Sequence, residues 1–232
     1  MRRLVHFFIY RVPLVMPTLM FFLKRVQYAL LSFYKDPEDV QLIRTVAREK
    51  RMLLQPLEAH TILSLARMQS SLEGDLAEVG VFQGASAKLI CSVKGDRTFW
   101  AFDTFEDGLQ DVSDADTHGG FAFFKSGQYE SSQEKVTSYL APYPNVEIRP
   151  GYFPESAGEA ADREFSFIHL DVDTHDSTLA CFRYFWPRLV AGGIMLTHDA
   201  HADGVGRAIE TFAAESGGRW FSTTGSQVAF VK

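Results

Sequence analysis

Acidic side chains gather where the apolar runs of this chain stop. Asp171 and Asp173 close FSFIHLDVD (165–173), and His198 and Asp199 close GIMLTHDA (193–200). Carboxylates collected without thiols suit a hard divalent cation such as magnesium. They can also take a proton from a hydroxyl. A second pair of acids comes earlier. Glu78 lies in DLAEVGVF (75–82), followed by Gly80 and Gly84, and Asp103 lies 25 residues further on in TFWAFDTF (98–105). Glycines let the backbone approach a ligand closely, and a helix opening at Ala85 offers free N–H groups to an anion. An acid ending the next strand can accept hydrogen bonds from ribose hydroxyls, so the pair fits a zwitterionic nucleoside. A dinucleotide fingerprint would need glycine where Phe82 stands, and no Gly-Lys-Ser/Thr phosphate loop is present.

These residues need a scaffold that brings distant strand ends together. Helical spacing runs through 36–71, with Val40, Ile43, Val46 and Ala47 and then Leu57, Ile62, Leu63, Leu65, Ala66 and Met68. From Asp75 onward the pattern alternates. Buried strands are expected at 75–82, 98–105, 145–153, 165–173 and 193–200. Helices are expected at 85–93, 131–141, 177–193 (stopped by Gly192-Gly193) and 204–218. Residues 219–232 read as a hairpin around Gly225. Strand-helix alternation implies a mostly parallel sheet with helices on both faces, and the hairpin adds antiparallel pairing. In such sheets ligands collect at the carboxyl ends of the strands, which is where the acids are. The stretch 106–130 is a long acidic connection that reads as a lid-like loop.

The chain has 232 residues, 46% of them hydrophobic and 22% charged, which excludes disorder. Cys91 and Cys181 are too few for a disulfide framework or a cysteine-based zinc site. The net charge of −6 gives no field that would draw the whole molecule to nucleic acid. That charge is unevenly spread. Residues 1–35 hold Arg2, Arg3, Arg11, Lys24, Arg25 and Lys35 and no acid, so this arm carries +6 and the body 36–232 carries −12. The arm is apolar, but Arg11, Pro13 and Pro17 interrupt it and no small-x-small cleavage site follows. Two readings stand. It packs on protein as a helical lid or dimer arm, or it lies in a membrane interface. A cytoplasmic protein is expected, held at the inner face of the membrane under the second reading, and the exposed aromatics of the arm would suit a homo-oligomer.

GDLAEVGVFQGASA, FWAFDTFEDGL, VEIRPGYFPES and FIHLDVDTHDSTLACFRYFWPRLVAGGIMLTHDA together resemble the macrocin O-methyltransferase family, class I S-adenosylmethionine-dependent methyltransferases that often tailor sugars of natural products. The resemblance runs from about Leu57 to Lys232, and residues 1–50 have no counterpart in it. It implies a Rossmann-like α/β fold and S-adenosylmethionine as methyl donor. The acceptor it implies is a hydroxyl of a sugar or other small polar natural-product-type compound. Glu78, Gly80 and Gly84 would line the methionine end of the donor, Asp103 would hold its ribose, and Gly151 and Phe153 would shape the pocket wall. The family's metal ligands fall on Asp171, His198 and Asp199, with Asp171 and His198 the catalytic residues. His198 departs from this pattern, because the family usually has an acid there. Histidine serves manganese, iron or zinc better than magnesium, or acts as a base with no metal. His175 and His201 are further base candidates on adjoining loops. The other readings are a Rossmann-type oxidoreductase, disfavoured by the Gly80–Gly84 turn, and a non-catalytic nucleoside-binding protein recruited to membranes by its arm.

Overall fold

The computed structural model describes residues 15–110, 112–118, 121–122 and 124–232. Much of the basic arm, residues 1–14, lies outside them. Three helices come first: α1 (Val15–Tyr34), α2 (Pro37–Glu49) and α3 (Pro56–Gln69). Their starts are written locally. Asp36 accepts a hydrogen bond from Glu38 N at 2.8 Å ahead of Pro37. Pro56 opens α3, and Gln55 N donates to Glu58 Oε2 at 2.8 Å. Proline is tolerated in a first helical turn because its missing N–H would have had no partner there. Among the described residues no helix is long and apolar enough to cross a membrane.

The alternating body follows: β1 (Asp75–Val79), α4 (Ala85–Cys91), β2 (Phe99–Asp103), α5 (Gln133–Leu140), β3 (Val146–Pro150), β4 (Phe165–Leu170), α6 (His175–Phe185), β5 (Leu189–Thr197), α7 (Asp203–Ser216), β6 (Arg219–Ser222) and β7 (Val228–Val231). The strands form one sheet in the order β3-β2-β1-β4-β5-β7-β6. The first five are parallel, and β7 pairs antiparallel with both β5 and β6. This is the mostly parallel α/β sheet with a closing antiparallel hairpin that the sequence predicts. Side chains alternate between two cores as the strand period requires. Leu76, Phe99, Phe167 and Leu196 face α2, α3 and α4, while Ala77, Phe102, Ile168 and Met195 face α6 and α7. β1 and β4 are buried along their whole length, which explains why they read as unbroken apolar runs.

Several expectations are corrected. The helix expected over 177–193 ends at Phe185, followed by a 3-10 turn, Trp186–Arg188, because Pro187 cannot continue the α-helical ladder. Gly192 and Gly193 then fall inside β5. Phe165 pairs with Leu189 and Phe167 with Ile194, so extra residues bulge out of the β5 edge, and Gly192 takes the positive φ of 79°. The strands expected over 75–82, 98–105, 145–153 and 165–173 stop early, at Val79, Asp103, Pro150 and Leu170. The stretch 106–130 is hydrogen-bonded within itself and to the start of α6. Leu109 N donates to Gln128 O and Gly127 N to Leu109 O. Asp116, buried, accepts from Ser113 N and from His175 N at the start of α6.

Candidate active site

The carboxyl ends of β1, β2, β4 and β5, with the turn after β3, open into one cavity. Gly80, Asp103, Gly151, Phe153, Asp171, His198 and Asp199 all line it. Each arrives there because its strand stops. Gly80 follows β1 with φ 88°, and a Cβ on it would lie 1.9 Å from Asp171 O, so adjacent strand ends can touch only at a glycine. Asp103 turns back on the glycine loop. Its Oδ2 accepts from Val81 N and Phe82 N at 2.7 Å each, and its Oδ1 accepts from Phe105 N at 2.6 Å. Burial pushes its pKa up, and these three donors oppose the rise. Phe153 stacks on Phe185 at 5.1 Å and meets Phe102 at 4.9 Å, which makes the wall below Gly151 rigid and aromatic.

Two predicted residues do not reach the cavity. Glu78 is fully buried beneath it, with His169 Nδ1 and Glu78 Oε1 2.6 Å apart. A β1 residue two places before the glycine turn points into the sheet layer, where His169 on β4 is the available polar partner. Gly84 caps α4 with φ 82°, and its Cα faces Tyr139 and Val136 of α5. His175 is turned to Asp176 at 2.7 Å, and His201, half exposed, stands 3.6 Å from Asp199; neither lines the cavity.

His198 is the electrostatic centre. Its Nδ1 lies 3.0 Å from Asp199 Oδ2 and 3.4 Å from Asp171 Oδ1, and its Nε2 lies 3.2 Å from Glu58 Oε2. Burial favours the neutral ring, but the three carboxylates outweigh it and hold the imidazolium well above the ordinary histidine range. Burial raises the Asp171 carboxyl, with His198 opposing. Asp173, also on the cavity wall, rises further through burial and its neighbours Asp171 and Asp199. Asp199 is pulled down by His198 against the effect of burial. Asp173 and Asp199 have φ of 64° and 53°, uncommon for non-glycine residues and a mark of strand ends bent to aim side chains.

The donor set fits a divalent cation. One ligand atom from each of Asp171, His198 and Asp199 lies within 4.8 Å of the others. His198 Nδ1 is buried and makes no hydrogen bond despite its two close carboxylates, so once a cation displaces its proton the nitrogen can serve as a ligand.

Two residues here carry no local signal in the sequence. Glu58, buried on α3, accepts from Ser226 N at 2.9 Å and Ser226 Oγ at 3.0 Å through Oε1, while Oε2 faces His198. The Glu58-after-Gln55 spacing signals a helix start and gives no hint of the histidine. Tyr129 reaches the cavity from the 106–130 stretch, its ring 5.9 Å from Phe82. Burial, and then Asp173, Asp199 and Asp171, push its phenol well up, so it stays a hydrogen-bond donor.

The family model for macrocin-O-methyltransferase (TylF) matches residues 45–218. Among solved structures, the O-methyltransferase NovP is 20% identical with a TM-score of 0.66, the match covering 78% of this chain and 81% of NovP. CalS11, a calicheamicin methyltransferase also described as a TDP-rhamnose 3'-O-methyltransferase, is 16% identical with a TM-score of 0.63, over 85% of this chain and 94% of CalS11. An O-methyltransferase from Bacillus cereus in complex with SAH is 15% identical with a TM-score of 0.61, over 92% of this chain and all of the other. At these identities the structures establish a shared fold. No curated protein sequence gives a significant match.

Proposed function

The chain belongs to the macrocin-O-methyltransferase (TylF) family of S-adenosylmethionine-dependent methyltransferases, and on that footing we propose that it methylates a hydroxyl of a sugar or sugar-bearing small molecule, assisted by a divalent cation. The observation that carries this reading is the convergence of a glycine turn, a ribose-type acid and a three-donor acidic cluster in one cavity. The acceptor class rests on the family and on what CalS11 acts on, together with a cavity whose polar end is anionic.

The donor supplies an electrophilic methyl on a sulfonium, which favours the electron-rich strand ends. Gly80 leaves room for it against β1. Asp103 lines the cavity with its carboxylate held still by three backbone donors, and Phe153 walls off water. Glu78 and Gly84 would act from behind, by fixing β1 and α4. Asp171, His198 and Asp199 would hold the cation, whose charge favours the deprotonated form of a hydroxyl beside it. In the transfer the acceptor oxygen bonds to the methyl carbon as the carbon–sulfur bond breaks, and the electron pair returns to sulfur. The acceptor's proton goes to a carboxylate. Asp171 is the group for this, since a His198 that holds the cation through Nδ1 and faces Glu58 through Nε2 would have no lone pair left to take the proton. Binding aligns oxygen, carbon and sulfur, the largest contribution a rigid site makes to such a displacement.

Titration calorimetry with S-adenosylhomocysteine tests the reading. Binding should be measurable for the intact chain and weakened by about 1–3 kcal/mol in Asp103→Ala. Unchanged affinity in a folded Asp103→Ala variant removes that residue from the site, and no binding to the intact chain rejects methyl transfer.

A further inference from the structure

The cavity and its acids belong to the site already described, but helix α1 does not. Leu19, Phe22, Val26, Leu30 and Phe33 recur at three- and four-residue spacing, so they share one face, and all are exposed, Phe33 to 79%. The inner face is fully engaged. Leu31 and Gln27 are buried, Gln27 Oε1 accepts from Leu57 N, and Lys24 Nζ donates to Met52 O. The outer stripe is therefore a second apolar face on a helix whose first is already packed. Soluble surfaces rarely leave so continuous a strip without an occupant.

We propose that this face docks on an anionic lipid surface, with α1 lying in the plane of the interface. Charge decides the occupant. The segment 1–35 carries six cations and no acid, whereas the rest of the chain carries −12. A second copy meeting this face about a two-fold axis would bring two +6 segments together. An anionic headgroup layer neutralises them, and it repels the acidic body, so the helix alone approaches. Arg25 sits beside the stripe with its guanidinium 4.3 Å from the Phe21 ring centre, a cation held at the level where apolar side chains end. A cation set at the edge of an aromatic and aliphatic face is what an interfacial helix offers to anionic headgroups. This inference stands apart from methyl transfer, since calorimetry with the donor product reports one and vesicle binding the other.

Flotation of the full chain with vesicles tests it. Vesicles of phosphatidylglycerol and phosphatidylcholine should carry the protein, pure phosphatidylcholine should carry much less, and salt at about 0.5 M should release it. Val26→Glu with Phe33→Glu, both at exposed positions, should lower the floated fraction about tenfold or more while the melting temperature stays unchanged. Equal flotation of that variant, or equal binding to neutral vesicles, overturns the proposal. So does failure of the intact chain to float, and a dimer in solution that the same double substitution dissociates would assign the face to a second copy.

Discussion

Glu58 serves three partners with two oxygens: the amide that starts α3, the serine at the tip of the hairpin, and the imidazole of His198. Burial resists its ionisation, yet His198 and the two backbone donors pull its pKa from 4.5 down to about 2. A depressed carboxylate contributes stability above its unfolded pKa and loses it as pH falls toward the folded value. Glu58→Gln should therefore cost on the order of 3 kcal/mol at pH 7, and the gap to the parent should close between pH 5 and about 2, read by urea unfolding across that range. A gap independent of pH would mean the carboxylate charge is not what matters. At the neighbouring acid, Asp171→Asn should lower kcat by roughly 10²–10⁴-fold and leave S-adenosylhomocysteine binding nearly intact, because the residues around Gly80 and Asp103 remain. Loss of donor binding along with rate would move Asp171 to the donor's site. Asp103, Asp171, His198 and Asp199 were legible as a group because a parallel sheet sends all its strand ends to one edge. Glu58 was not legible, since its meeting with His198 joins positions 140 residues apart that no local spacing encodes. Glu78 shows the other side of the same limit, because its orientation is not written in its neighbourhood. It has the right residue type and neighbourhood, but the strand's alternation turns it inward to His169.

At the scale of elements, the strand ends are locked to one another by contacts only glycine allows. Gly80→Ala would drive a Cβ against Asp171 O and should destabilise by about 3–5 kcal/mol. Gly95→Ala, at φ 61° with nothing within 4 Å, should cost only the backbone term of about 1–2 kcal/mol. Denaturant midpoints for the two variants side by side check this, and equal costs would show that close approach at Gly80 is not limiting. The same physics explains which elements could be read in advance. Buried parallel strands are contiguous apolar runs, so β1, β2, β4 and β5 were plain in the sequence. Gly192-Gly193 was ambiguous, because a glycine pair ends a helix or relieves a strand bulge equally well. Pro187, five residues earlier, settled the matter by ending α6 first.

For the whole molecule, the cavity concentrates unfavourable charge. Asp103, Asp171 and Asp173 all have raised pKa values in which burial is the first cause, so each weakens the fold as pH rises and it ionises. A divalent ion held by Asp171, His198 and Asp199 would relieve part of that cost. Differential scanning fluorimetry should then register a rise of about 5–10 °C for manganese at about a hundredfold excess over its Kd. At one fixed manganese concentration the rise should be larger at pH 8 than at pH 6, because the ion must displace the proton on His198. No shift with manganese or magnesium would leave the cluster as a metal-free base and counter-ion.

The segment between α2 and α3 is handled from two sides. Met52 and Gln55, with Leu57 in the first turn of α3, touch Lys24, Met20 and Gln27 of α1, while Leu53 and Leu54 line the cavity. Side chains of α1 thus hold the residues on either side of that piece of wall without lining the cavity themselves. For a lineage under selection, or a directed-evolution library, this is a dial separate from the engine. Substitutions at positions 20, 24 and 27 should move Leu53 and Leu54 while the side chains at the strand ends stay where they are.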